Sequence, residues 1–152
     1  MSDIEARLAA LGHTLPDAPM PAANYVPYVI TGKQLFVSGQ ISNGPDGLIC
    51  GKLGADLTTE DGAFAAATCA LALLAQAKAA TGDLTKVARL VKLVGFVNST
   101  ADFTDQPKVI NGASDLMVAV LGDAGRHARS AVSAVSLPLG VAVEIEAIFE
   151  LV

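Results

Sequence analysis

Two apolar periods alternate along this chain. In the closing stretch, Val141, Val143, Ile145, Ala147 and Phe149 fall on one side. Glu144, Glu146 and Glu150 fall on the other, with Ala142 and Ile148 between them. A period of two belongs to a strand with one dry and one wet face. The glutamates then meet water or another subunit. A second extended run opens on Arg129, and the two runs read as paired strands. Residues 25–41, "YVPYVITGKQLFVSGQI", read as a β-hairpin turning at Thr31-Gly32-Lys33. Residues 42–47, "SNGPDG", read as a loop, and "LICGKLG" after them as another short strand. "KVARLVKLVGFVN", residues 86–98, is a strongly apolar strand.

The other period is helical. Ser2-Asp3-Ile4-Glu5 has capping-box form, and Ile4, Leu8 and Leu11 share a face before Gly12 ends the helix. The three prolines of residues 15–24 make an extended connector. Thr58 or Thr59 caps a long alanine-rich helix reaching about Ala80, with Gly82 just past its end. Thr104 to Leu121 is a further helix, with Pro107 in its first turn and Gly122 at its end. The body order is ββ(β)αβαββ, an α+β arrangement in which two helices cover one sheet. Residues 1–21 form a helical arm and connector, and residues 22–152 form the body.

Composition adds an oligomer to this picture. The chain has 152 residues, enough for one cored domain; 52% are hydrophobic and only 16% charged, and mean hydropathy is +0.50. That apolar excess predicts a homo-oligomer burying surface between subunits. A membrane is not expected: the longest candidate span, residues 62–80, is mostly alanine and carries Gln76 and Lys78. The charged, amphipathic start does not resemble a secretory leader, and Cys50 and Cys69 are too few for a disulfide framework. A cytoplasmic protein is expected. The net charge of −5 argues against nucleic acid as a partner.

Candidate chemistry is sparse. Arg129 follows the loop "GDAGRHA" and offers a planar fork for a carboxylate, although an arginine there is more commonly a surface residue. The strand glutamates read blind as a solvated face. His127, next to the arginine, is open to a ligand-site role but reads first as a solvated loop histidine, and Cys69 reads as a buried small hydrophobe. No HxH, HExxH, CxxC or GxSxG grouping occurs, so no metal is expected.

Three segments in order change the weighting. "ARSAV…LPLGVAVEIEAIFE" resembles the C-terminal signature of the Rid/YjgF family. "YV…TG…LFVSGQI" resembles its N-terminal hairpin, and "FVNSTADF…VINGASD" its strand-loop-helix segment. The resemblance covers about residues 22–150. It implies two helices on one face of a mixed, mostly antiparallel sheet, a chorismate-mutase-like fold. It also implies a homotrimer with ligand clefts between subunits. The implied activity is hydrolysis of small 2-imino or enamine acids to 2-keto acids and ammonia, with no cofactor. By the same resemblance Arg129 binds the substrate carboxylate and Glu144 holds the attacking water. Tyr25, Gly39 and Asn111 line the site, and Ala131 stands where many members have cysteine. Tyr25 is expected from the subunit adjacent to that of Arg129. Two rival readings are a non-catalytic module binding a small carboxylate metabolite and, behind it, an endoribonuclease.

Overall fold

The computed structural model describes residues 2–21 and 23–152. The expected boundary between arm and body falls at Ala22, outside the described residues. The elements are α1 (Asp3–Ala10), β1 (Tyr28–Thr31), β2 (Gln34–Ile41), β3 (Asn43–Gly44), β4 (Gly47–Leu48), α2 (Thr59–Thr81), β5 (Val87–Asn98), α3 (Gln106–Leu121), β6 (Ala128–Ala134) and β7 (Val143–Leu151).

Five strands form one sheet in the order β1-β2-β7-β5-β6. All pairs are antiparallel except β5–β6, which is parallel. The parallel pair follows from chain length: a strand returning through a whole helix, here α3, can lie beside its predecessor in the same direction. The two closing strands therefore do not pair, contrary to the reading of their apolar runs. β5 lies between them, because its 12 residues give β7 a long antiparallel partner. The alternation itself holds. Val143, Ile145, Ala147 and Phe149 are buried, Glu146 and Glu150 are exposed, and Glu144 is half-buried.

α2 and α3 pack against one sheet face and against each other. α2 opens on a capping box: Asp61 N–H donates to Thr58 Oγ1 and Thr58 N–H donates to Asp61 Oδ2. It closes on left-handed Gly82. By length and composition α2 could cross a membrane, but its alanines, Leu73, Leu74 and Cys69 lie in the core. Burial pushes the Cys69 thiol up, which suits a packing residue. A Cβ on Gly112 of α3 would lie 2.0 Å from the Ala63 carbonyl oxygen of α2, so the helices cross with backbone nearly touching.

A third helix, α1, joins the two on that side of the sheet. The Ser2–Glu5 capping box forms as read. Leu8 is buried, Arg7 Nη1 donates to the Val120 carbonyl of α3 at 2.9 Å, and Lys78 of α2 pairs with Glu5.

Of the expected strand over residues 48–54, only Leu48 is in a strand, as the end of β4; residues 49–54 make none. Leu53 forms only isolated bridges, to Leu57 and Ser99. Gly51 and Gly54 have φ of +131° and +90°, which turn the backbone out of strand geometry. The expected loop before them instead holds the small β3–β4 hairpin. β1 starts at Tyr28, because Pro27 has no N–H to give a ladder; its carbonyl accepts from Ser38 N–H.

Candidate functional site

Strand register sorts the implied site residues into two groups. Arg129 lies opposite Leu93, which is fully buried beneath the helices. Glu144 lies opposite Phe96, three residues further along β5. Three steps along a strand reverse the face. Arg129 therefore points to the helix side of the sheet and Glu144 to the open side. With β5 between their strands they are also about 10 Å apart laterally. One chain does not bring the two together.

The first group surrounds Arg129. Its Nη1 donates to Asn111 Oδ1 at 2.8 Å and to Ser114 Oγ at 3.1 Å, and its Nη2 donates to the Pro107 carbonyl at 3.3 Å. Pro107, Asn111 and Ser114 follow one another at three- and four-residue steps on α3, so one helix face makes all three contacts. Guanidinium has five N–H donors. Among the described residues, three are used, which leaves Nε–H and one Nη2–H. Two donors on one planar group are what a carboxylate takes in a bidentate pair. Ala131 lies two residues beyond Arg129 on the same side of outer strand β6 and packs against the core.

The second group surrounds Glu144. Ser38 and Gly39 form a bulge in β2, where the pairing with β7 jumps from Val37↔Ala147 to Gln40↔Ile145. The bulge presses the Gly39 backbone onto the glutamate: a Cβ there would lie 2.4 Å from Glu144 Oε2. No other residue type fits without moving that carboxylate. Ile41 and Phe96 flank Glu144 on the neighbouring strands. Desolvation raises the carboxyl above the ordinary range, with the nearby Glu146 charge a smaller cause. Tyr25 is exposed, three residues before edge strand β1. The segment after it is tied down by Ser38, whose hydroxyl donates to the Val26 carbonyl at 2.8 Å.

Ser114, near Arg129, escaped the sequence reading, although its three-residue spacing from Asn111 is the available clue. His127 is not the solvated loop histidine of the first reading: its Nε2 lies 2.9 Å from Ser114 Oγ and its Nδ1 lies 2.6 Å from the Gly125 carbonyl oxygen. That contact joins residues 13 positions apart through the turn after α3, beyond the reach of local pattern. Among the described residues, no group of three His, Cys, Asp or Glu side chains gathers as metal ligands would.

A guanidinium with a free fork and a half-buried carboxyl, raised by desolvation, beside a bulged backbone suit a small carboxylate ligand. The comparisons agree on the class. Residues 5–151 match the family described as "YjgF/chorismate_mutase-like, putative endoribonuclease". The chain belongs to this YjgF family. It is 52% identical over 150 residues to Protein TCP17 of Trypanosoma cruzi, covering 97% of this chain and 94% of the relative. The structure of Atu1372 from Agrobacterium tumefaciens is 49% identical, with a TM-score of 0.92 over 99% of this chain and 93% of that one. A structure described as "a putative endoribonuclease", from Shewanella oneidensis, is 36% identical, with a TM-score of 0.93 over 97% and 99% of the two chains.

Proposed function

We propose that this chain is a hydrolytic deaminase of small 2-imino or enamine acids, working at clefts between copies of a homotrimer. The observation that carries the reading is the state of Arg129. α3 holds one side of its guanidinium, and two donors stay free for a carboxylate. The open sheet face supports the trimer. Val29, Phe36 and Val132 are 51%, 39% and 44% exposed there, and Ile41, Val94, Phe96 and Ile148 are half-buried. Apolar surface of that kind suits a partner subunit. A neighbour packed on it could bring its own Arg129 to this chain's Glu144, with Tyr25 and Gly39 from the Glu144 side.

The chemistry then follows from the side chains. Arg129 clamps the substrate carboxylate and fixes the electrophilic carbon of the imine, whose nitrogen is protonated. Glu144 accepts a hydrogen bond from water and orients it toward that carbon. As the C–O bond forms, Glu144 takes a proton from the water and passes it to the amine nitrogen. The C–N bond then breaks, ammonia leaves, and Glu144, deprotonated again, takes the hydroxyl proton as the keto group forms. These groups suffice without a cofactor. The two unpaired thiols, Cys50 and Cys69, fit a cytoplasmic setting. An endoribonuclease role, the alternative in the family's description, sits poorly with Glu144, Glu146 and Glu150 on the open face, because phosphate backbones are bound by cationic surfaces.

The test uses 2-imino acids made in situ by an amino-acid oxidase. Wild type should speed imine loss. Arg129→Ala should abolish that acceleration and leave the oligomeric mass unchanged. Turnover unchanged in Arg129→Ala would remove Arg129 from the site. Binding of 2-keto acids without any imine hydrolysis would select the non-catalytic module.

A further inference from the structure

Arg129 is held by a chain of hydrogen bonds whose direction is fixed at its far end. The Gly125 carbonyl can only accept, so His127 Nδ1, 2.6 Å away, must carry a hydrogen. In the neutral ring Nε2 is then an acceptor. Ser114 Oγ, 2.9 Å from it, therefore donates its one hydrogen to His127. That leaves the serine oxygen its lone pairs for Arg129 Nη1–H at 3.1 Å. The starting carbonyl is itself immobile. A Cβ on Gly125 would lie 2.3 Å from the Met117 carbonyl oxygen, so the turn is pressed onto α3.

We infer that His127 and Ser114 are positioning residues, a relay that sets the plane of the Arg129 guanidinium so that Nε–H and Nη2–H face the ligand carboxylate. Neither residue needs to touch the ligand. Without Ser114, one Nη1–H would lose its partner and the plane could swing about the Asn111 contact. Without His127, the Ser114 hydroxyl would be free to rotate its hydrogen toward Arg129. The inference rests on the proposed function in taking a carboxylate as the ligand of Arg129. A carboxylate clamp acts alike in ground and transition states, so the expected damage is to KM, with kcat little changed.

The test compares wild type with His127→Ala, Ser114→Ala, the double variant, His127→Gln and Arg129→Ala. Two readouts are used: nitrogen-15 relaxation of the Arg129 Nε–H in the free protein, and calorimetric Kd for pyruvate and for its uncharged amide. Each alanine variant should lower the order of the Arg129 signal and weaken pyruvate binding about five- to tenfold. The amide should be unaffected. The double variant should lose no more than either single one, because both break the same relay. His127→Gln, whose Oε1 can accept from Ser114, should recover most of the affinity. An unchanged Arg129 signal in both alanine variants, or losses that add in the double variant, would overturn the relay. If Arg129→Ala abolishes pyruvate binding while His127→Ala does not weaken it, the relay falls and the carboxylate clamp of the proposed function is untouched. If wild type binds no pyruvate yet Arg129 loosens in both alanine variants, the relay stands and the carboxylate clamp, on which the proposed function depends, falls.

Discussion

At the scale of single residues, Glu144 gives the sharpest expectations. Its carboxyl is raised from 4.5 by desolvation first and by Glu146 second. A raised carboxyl favours the protonated folded state. Its contribution to stability is fully present below the ordinary value and is lost as pH rises through the folded value. Wild type should therefore lose some stability across that window, measured by denaturant unfolding at stepped pH, and Glu144→Gln should not. Under the proposed mechanism the same residue works as the deprotonated base. Glu144→Gln should lower kcat about a hundredfold or more and remove the acid limb of the wild-type pH–rate profile. A full-rate variant with an unchanged limb would assign the base elsewhere. Arg129, Glu144 and Gly39 could be picked out in the sequence because local motifs carry them. Ser114 could not, and His127 stood out only as the neighbour of the arginine motif, because their partnership exists only once the turn after α3 folds back on that helix.

At the scale of elements, helix boundaries were the most legible features. The Ser2–Glu5 capping box, the cap at Thr58 or Thr59 and the terminal Gly82 are local chemistry, and each forms, the second cap at Thr58. Sheet order was not local. The sequence holds the alternation of β7 but not the insertion of β5 between β7 and β6, which depends on where the α3 crossover returns. The α2–α3 crossing was equally hidden, since Gly112 looks ordinary in sequence. Gly112→Ala would drive a methyl into the Ala63 carbonyl and should cost about 1–3 kcal/mol or more, read as a lower urea midpoint. α1 has its own pH response. The Lys78 hydrogen bond first, then the Ser2 backbone N–H, lowers Glu5 to about 2. That support is present above the ordinary carboxylate value and fades as pH falls toward the folded one. Amide protection factors, with the intrinsic pH dependence of exchange divided out, should fall in α1 below about pH 4, ahead of α2. Uniform exchange through both helices would contradict this.

At the scale of the whole molecule, one fact governs the rest. Arg129 and Glu144 lie on opposite faces of one sheet, separated by β5. On the proposed function, each chain offers one cationic half-site and one carboxylate half-site, and a complete cleft takes two chains. The apolar excess in the composition pointed to an oligomer and the family resemblance to clefts between subunits, but the placement of Arg129 and Glu144 on opposite faces is visible only from register. Complementation tests it most directly. Arg129→Ala and Glu144→Gln, each inactive alone, are unfolded together in equal amounts and refolded. Random trimers of the two pair an intact Arg129 with an intact Glu144 in about a quarter of all clefts. Imine hydrolysis should return to about that fraction of wild type. If mass spectrometry shows mixed trimers and activity stays at the level of the single variants, the two residues do not meet across subunits, and the proposed cleft is wrong.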